Sequence, residues 1–171
     1  MIFVVTASSR VPYPFDQSNA LLQFKNSVSI SMPEPTDYLE RYPKTNSWKE
    51  GTDCCLWDGV SCELATGYVI ELDLSSSPLC GNLYPNSSLF ALHHLQVLDL
   101  SNNNFKGSKI PSQFGHLLSL THLSLGFSNF TGQVPLEISQ VINLVSLDLI
   151  RETDGDPLEM TAAGLNNLVQ N

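Results

Sequence analysis

Basic residues are scarce in this chain: eight Lys and Arg face seventeen Asp and Glu over 171 residues, a formal net charge of −9. Nucleic-acid binding needs clustered cations that track phosphates, and none are clustered here, which excludes that class. No apolar run approaches the ~20 residues that span a bilayer, so no segment reads as a membrane anchor. Catalytic signatures are missing too: there is no G-x-S-x-G elbow, no H-E-x-x-H pair and no glycine-rich phosphate loop. His93 and His94 are adjacent and off the strand, His116 falls on the convex side and His122 alone on the concave side, so they share no surface for a metal. Without a pocket, acidic residues alone do not make a general acid–base pair, and enzymatic activity is not expected. Cysteine is also sparse, four in all, with three gathered as Cys54-Cys55-x6-Cys62. This cluster lacks the paired C-x2-C arrangement of a zinc site and suits a stapled cap in an oxidising compartment.

What the chain does have is a leucine ladder. Leu72-Asp73-Leu74, Leu98-Asp99-Leu100, Leu123-Ser124-Leu125 and Leu147-Asp148-Leu149 recur at steps of 26, 25 and 24 residues. Gly81, Gly107 and Gly132 each follow the second leucine of their unit by seven residues. The fullest unit reads Leu95-x-x-Leu98-x-Leu100-x-x-Asn103-x-Phe105-x-Gly107, then Ile110-Pro111. Apolar positions, a glycine and a proline holding phase over three units define a leucine-rich-repeat solenoid, in which each unit buries its leucines against its neighbours. Each Leu-x-Leu core is expected to be a short strand of a parallel sheet, with leucines inward and alternate residues on the concave face. The concave set is then Glu71, Asp73, Ser75; Val97, Asp99, Ser101; His122, Ser124, Gly126; and Ser146, Asp148, Ile150. The candidate binding face within it is Glu71, Asp73, Val97, Asp99, His122, Ser124, Ser146 and Asp148. Asp73, Asp99 and Asp148 occupy one ladder position. Their carboxylates either bond neighbouring backbone and Ser hydroxyls or attract a basic partner, and the first reading is the commoner use of such groups. Leu89/Leu92, Phe114/Leu117 and Ile138/Val141 are expected to close the back, and Asn103 to satisfy loop backbone groups with its amide.

Ahead of the repeats, residues 1–15 read as a leader resembling the last part of a secretory signal: a short apolar stretch, then small residues. Residues 16–66 read as a cap. Asp16 to about Ser29 is expected to be one amphipathic helix, capped by Asp16 or Ser18, with Leu21, Phe24 and Val28 as its stripe. Ser31 to Ser47 contains Pro33, Pro35 and Pro43 and is expected to be an irregular loop. Residues 69–171 hold about four repeats, the last degenerate. There, Asp154 stands where Leu79, Phe105 and Phe130 stand in the other units, and no glycine falls at position 156. Leu144, Leu147 and Leu149 are expected to lack a following repeat, with Leu165 and Leu168 as partial cover, giving an uncapped and apparently truncated end.

Asp16-Gln17-x2-Ala20-Leu21-Leu22-x-Phe24-Lys25, the Ser47-Trp48 pair and Cys54-Cys55-x-Trp57-x-Gly59-Val60-x-Cys62 lead directly into the repeats. Together they resemble the N-terminal cap and first repeats of plant extracellular leucine-rich-repeat receptors, and most of all the receptor-like proteins of the disease-resistance class. The resemblance covers about residues 16–150. It implies a Cys55–Cys62 disulfide, Trp57 packed on the first repeat, and a second set of strands from the Gly-x-Ile-Pro segments. Family members usually carry one more cysteine before the first helix, where this chain has Val11-Pro12-Tyr13-Pro14. Cys54 therefore lacks that partner and is either free or bonded to Cys80. The resemblance also implies a secreted, extracellular chain, so the only two sequons, Asn86-Ser87-Ser88 and Asn129-Phe130-Thr131, are candidate glycosylation sites.

The function these features imply is non-enzymatic binding of a protein or peptide ligand. The chain would be part of a plant cell-surface receptor-like protein in defence or developmental signalling, coupled to a co-receptor kinase and needing no cofactor. It would reside in the apoplast, or at the plasma membrane if a span follows downstream. Two alternatives are a soluble cell-wall inhibitor resembling the polygalacturonase-inhibiting proteins and a truncated product with no autonomous function.

Overall fold

The computed structural model describes residues 15–31, 42–150, 158–162 and 164. The leader and the Leu165/Leu168 cover lie outside the described residues. Helix α1 (Phe15–Ser27) is followed by β1 (Ser29–Ile30), β2 (Val60–Cys62), β3 (Val69–Asp73), β4 (Leu79–Cys80), β5 (Val97–Asp99), β6 (His122–Ser124), β7 (Gly132–Gln133), β8 (Ser146–Asp148) and β9 (Leu158–Glu159). The main sheet has the order β2-β3-β5-β6-β8. Strands β3, β5, β6 and β8 run parallel, one per repeat, as the leucine phase requires. Their register stacks Leu72, Leu98, Leu123 and Leu147 in one column.

Each strand is short because the chain must turn out of the sheet after its second leucine. The first three units bury their leucines almost completely: Leu72, Leu74, Leu98 and Leu100 are 0% exposed, and Leu123 and Leu125 are 2% exposed. Each such side chain contributes about 1.5–3 kcal/mol of burial. On the back, three 3-10 turns (Ser88–Ala91, Ser112–His116 and Leu136–Gln140) carry the expected apolar pairs inward. Pro111 and Pro135 precede the second and third turns, where a missing N–H costs nothing and φ is already near −65°. Phe90 meets Phe114 edge-on at 5.1 Å, and Phe105 stacks on Phe130 at 4.8 Å, tying successive units together. Gly115 allows the second and third turns to touch, since a Cβ there would lie 2.5 Å from the Glu137 carbonyl oxygen.

Asn103 is the hydrogen-bond hub of the core. Its amide donates to the carbonyls of Leu74 (2.8 Å), Leu100 (2.8 Å) and Ser101 (3.1 Å), while its oxygen accepts from the Leu79 N–H at 2.9 Å. Ser128 takes the same place in the next unit and reaches Leu100 and Gly126 carbonyls with its single hydroxyl. A second ladder runs along the flank, with bridges Cys80–Asn104 and Lys109–Thr131 and parallel pairing of β7 with β9. The fourth unit meets β7 nine residues after Leu149, with Leu158 opposite Gly132, which follows Leu125 by seven. In the fourth unit Leu144, Leu147 and Leu149 are only partly buried, unlike their counterparts in units two and three.

The cap is continuous with the solenoid. Strand β2 pairs antiparallel with β3 and covers the edge that the first repeat would otherwise expose. Helix α1 buries Ala20, Leu21 and Phe24 in the common core, with Val28 packed against it beyond the helix end. Its residue Gln17 accepts from the Val69 N–H at 2.8 Å, and the Ser88 hydroxyl donates to the Ala20 carbonyl at 2.7 Å. The Gln17 Nε2 has no partner among the described residues. The helix starts at Phe15, so Asp16 and Ser18 both lie inside it and neither is its cap. Past the helix, Ser29–Ile30 pairs antiparallel with Leu79–Cys80; of the proline-bearing segment, residues 32–41 lie outside the described residues and Lys44–Ser47 forms a 3-10 turn. Trp57, expected on the first repeat, stacks on Trp48 at 5.6 Å, and their indoles donate to Thr52 and to the Asp58 carbonyl respectively.

Candidate functional site: the concave ladder

Register puts the candidate residues in two rows. Glu71, Val97, His122 and Ser146 lie opposite one another across β3, β5, β6 and β8. Asp73, Asp99, Ser124 and Asp148 form the second row, two residues on. The two rows do different physical work.

The second row terminates the strands. Asp99 accepts from the Ser101 N–H at 2.8 Å, Asp148 from the Ile150 N–H at 2.9 Å, and Asp73 from the Ser75 N–H at 2.9 Å and the Ser75 hydroxyl at 2.6 Å. The other oxygen of Asp148 accepts from Ser124 at 3.1 Å, and that of Asp73 pairs with Lys44 at 2.8 Å. Burial pushes the Asp73 carboxyl up. Hydrogen bonds from Lys44, the Ser75 hydroxyl and the Ser75 N–H, with the Lys44 charge, outweigh it and hold the group below its ordinary value. Each aspartate thus closes a turn of the two-residue type that short acidic side chains favour. Gly126 belongs to this arrangement, because a Cβ there would lie 2.7 Å from an Asp148 carboxylate oxygen. Ser101 and Gly126, both in the expected concave set, are buried beside this row.

The first row has no such duty. Glu71 and Ser146 make no side-chain hydrogen bond or ion pair among the described residues, and Val97 is half-buried. His122 is exposed, and its one side-chain hydrogen bond among the described residues is with the neighbouring Thr121 hydroxyl, at 2.9 Å. Beyond the strand ends, Phe127 (43% exposed) and Ile150 (62% exposed) add apolar surface. The remaining histidines stand apart: His94 stacks on Tyr68 at 3.9 Å, and His116 lies on the back.

Cys55 and Cys62 are joined as a disulfide with Cα atoms 5.5 Å apart. Cys54 and Cys80 are both free and buried, so the Cys54–Cys80 bond is not formed. The reason is placement: Cys54 faces Ser18 of α1, whereas Cys80 in β4 pairs with Ser29 and bridges to Asn104. Asn86 is exposed within the turn closed by the Ser87 N–H and the Tyr84 carbonyl. Asn129 is exposed too, and its amide donates to Asn104 at 3.1 Å. Neither sequon lies on a concave strand.

A parallel ladder capped by a helical, disulfide-closed N-terminal segment defines a leucine-rich-repeat protein. Residues 15–63 match the family described as leucine rich repeat N-terminal domain, and residues 94–117 match leucine rich repeat. Receptor-like protein 9DC1 of Solanum pimpinellifolium is 48% identical over 153 residues, 84% of this chain and 18% of that protein. Receptor-like protein Cf-9 of the same species is 43% identical over 175 residues, covering 96% of this chain and 20% of its own length. Receptor-like protein 6 of Arabidopsis thaliana is 46% identical over 141 residues, 78% of this chain and 14% of that one. The chain is similar to the N-terminal cap and first repeats of these plant receptor-like proteins. It spans between 14% and 20% of the length of these curated relatives. Among solved structures, PEPR1–AtPEP1 matches with a TM-score of 0.65 at 25% identity, over 88% of this chain and 19% of that one. The BIR3–SERK2 complex from Arabidopsis thaliana matches with a TM-score of 0.58 at 29% identity, over 87% of this chain and 74% of that one.

Proposed function

We propose that this chain is a non-enzymatic recognition module from the extracellular side of a plant receptor-like protein, engaging a protein or peptide ligand through its concave ladder. The observation that carries this reading is the division of labour between the rows. The aspartates are consumed in closing the strands, while Glu71, Val97, His122 and Ser146 are displayed in register with no structural task. Side chains at a fixed pitch on a rigid parallel sheet suit an extended polypeptide, which binds with little further ordering cost. The structures similar to this chain include a receptor solved as PEPR1–AtPEP1 and a complex of two proteins, BIR3 and SERK2. The ligand, a defence or developmental role, a co-receptor kinase and a place in the secretory pathway all belong to this proposal, as do glycans on Asn86 and Asn129.

The test is a chimera in which residues 16–150 replace the matching segment of Receptor-like protein 9DC1. It should reach the plant cell surface, as read by surface biotinylation, and co-purify a receptor kinase. Retention inside the cell would overturn the reading. Inhibition of a fungal polygalacturonase by the isolated chain would favour the soluble-inhibitor alternative instead.

A further inference from the structure

Three sulfurs meet in the cap. The Sγ atoms of Cys54, Cys55 and Cys62 all lie within 4.8 Å of one another. Cys55 and Cys62 are bonded, while Cys54 is a free thiol at 0% exposure. Cys55 and Cys62 are only half-buried. A disulfide touching a free thiol is set up for exchange, because a thiolate breaks an S–S bond by attacking one of its sulfurs.

We propose that the cap disulfide is exchangeable, with Cys54 able to displace Cys55 from Cys62 and so bring a buried thiol to a half-exposed position. The Cys54 thiol gives up its proton and its sulfur attacks Cys62 Sγ. The Cys54–Cys62 bond forms as the Cys55–Cys62 bond breaks, and the electron pair leaves on Cys55 Sγ, which takes up the proton. One disulfide and one thiol exist before and after, so no oxidant or reductant is consumed. Attack on Cys55 is disfavoured, since neighbouring Cα atoms are ~3.8 Å apart and a disulfide wants ~4.4–6.8 Å. Attack on Cys62 only lengthens the sequence separation of the bridge from seven to eight.

The fold holds the exchange in check. Burial raises the Cys54 thiol above its ordinary range against the Ser18 hydrogen bond, and the Asp53 charge adds to the rise, so thiolate is scarce in the closed cap. Loosening of α1 would admit water to Cys54 and relieve the burial that sets this brake, although it gives up the Ser18 hydrogen bond that favours the thiolate. The outcome differs from a static cap in one respect: the reactive thiol would be Cys55, not Cys54.

The Cys55→Ser chain, oxidised in full-length form and digested without reduction after Trp57, tests this directly. A Cys54–Cys62 link is expected; alkylatable thiols at both positions would overturn the proposal. A second readout starts from the wild-type chain. The native wild-type chain is incubated with iodoacetamide and sequenced by fragmentation. Label should accumulate on Cys55 together with a Cys54–Cys62 link, and Cys54→Ser should lower Cys55 labelling by about tenfold or more. A persistent Cys55–Cys62 link with Cys55 unlabelled would overturn the proposal, as would equal Cys55 labelling in Cys54→Ser.

Discussion

Replacing Asn103 by alanine removes four hydrogen bonds at once, and the structure says which losses matter. The Ser101 carbonyl keeps the Ser76 N–H at 2.9 Å, and the Leu100 carbonyl keeps the Ser128 hydroxyl at 2.6 Å. The Leu79 N–H and the Leu74 carbonyl lose the side-chain partner that reaches them from the neighbouring unit. Each such buried group costs about 1–3 kcal/mol, so Asn103→Ala should destabilise by roughly 2–6 kcal/mol. For a chain of this size that is a fall in Tm of roughly 5–20 °C. Asn103→Asp should be worse, since it keeps the acceptor for Leu79 but turns a charge on three carbonyls. Asn103→Ser should cost least, because serine serves at 128 in the next unit. Urea unfolding with the disulfide intact, followed by tryptophan fluorescence, gives the three values. If Asn103→Ala and Asn103→Asp both fall within about 1 kcal/mol of wild type, the view of Asn103 as an inter-unit clamp is wrong.

Gly59 has φ +78°, and a Cβ there would collide with the Asp73 carbonyl oxygen, so Gly59→Ala should separate the cap from the first strand and cost at least ~2 kcal/mol by thermal unfolding; an unchanged Tm would refute that contact. Phe105→Ala, which removes a fully buried ring stacked on Phe130, should cost about 3–5 kcal/mol in urea titration, and a loss below ~1 kcal/mol would refute the stacking as a tie between units. The depressed Asp73 carboxyl stabilises the fold above the ordinary carboxylate pKa, and that contribution is lost as pH falls through its lower folded value. Asp73→Asn should therefore lower the urea midpoint near pH 6 by the equivalent of about 1 kcal/mol and match wild type at low pH, the pair being partly exposed; a difference that grows on acidification would contradict the sign.

The repeat phase in the sequence was enough to place the strands, their parallel order and the buried pairs on the back, because inward leucines at a fixed period admit one stacking. It also identified Asn103 as a backbone partner, though not that its reach spans two units, to Leu74 and Leu79. That Ser101 and Gly126 of the concave set are buried was not legible, because it depends on how closely the next unit packs, as the Asp148 carboxylate does against Gly126. Pairing of the odd cysteines was not legible, since it depends on which elements fold beside Cys54 and Cys80. The separation of the concave rows into strand closure and free display needed side-chain geometry: nothing in Leu-Asp-Leu alone shows where the carboxylate oxygens point.

The most direct test of a concave recognition face is site-specific photocrosslinking, with a photoreactive residue at position 122 in one chain and at position 116 in another. His122 lies in the displayed row, and His116 lies on the back of the preceding repeat. Exposed to apoplastic wash fluid and irradiated, the chain labelled at 122 should form adducts that mass spectrometry identifies as an extracellular polypeptide, and the chain labelled at 116 should form none. Equal adducts at both positions, or adducts at 116 alone, would contradict the account.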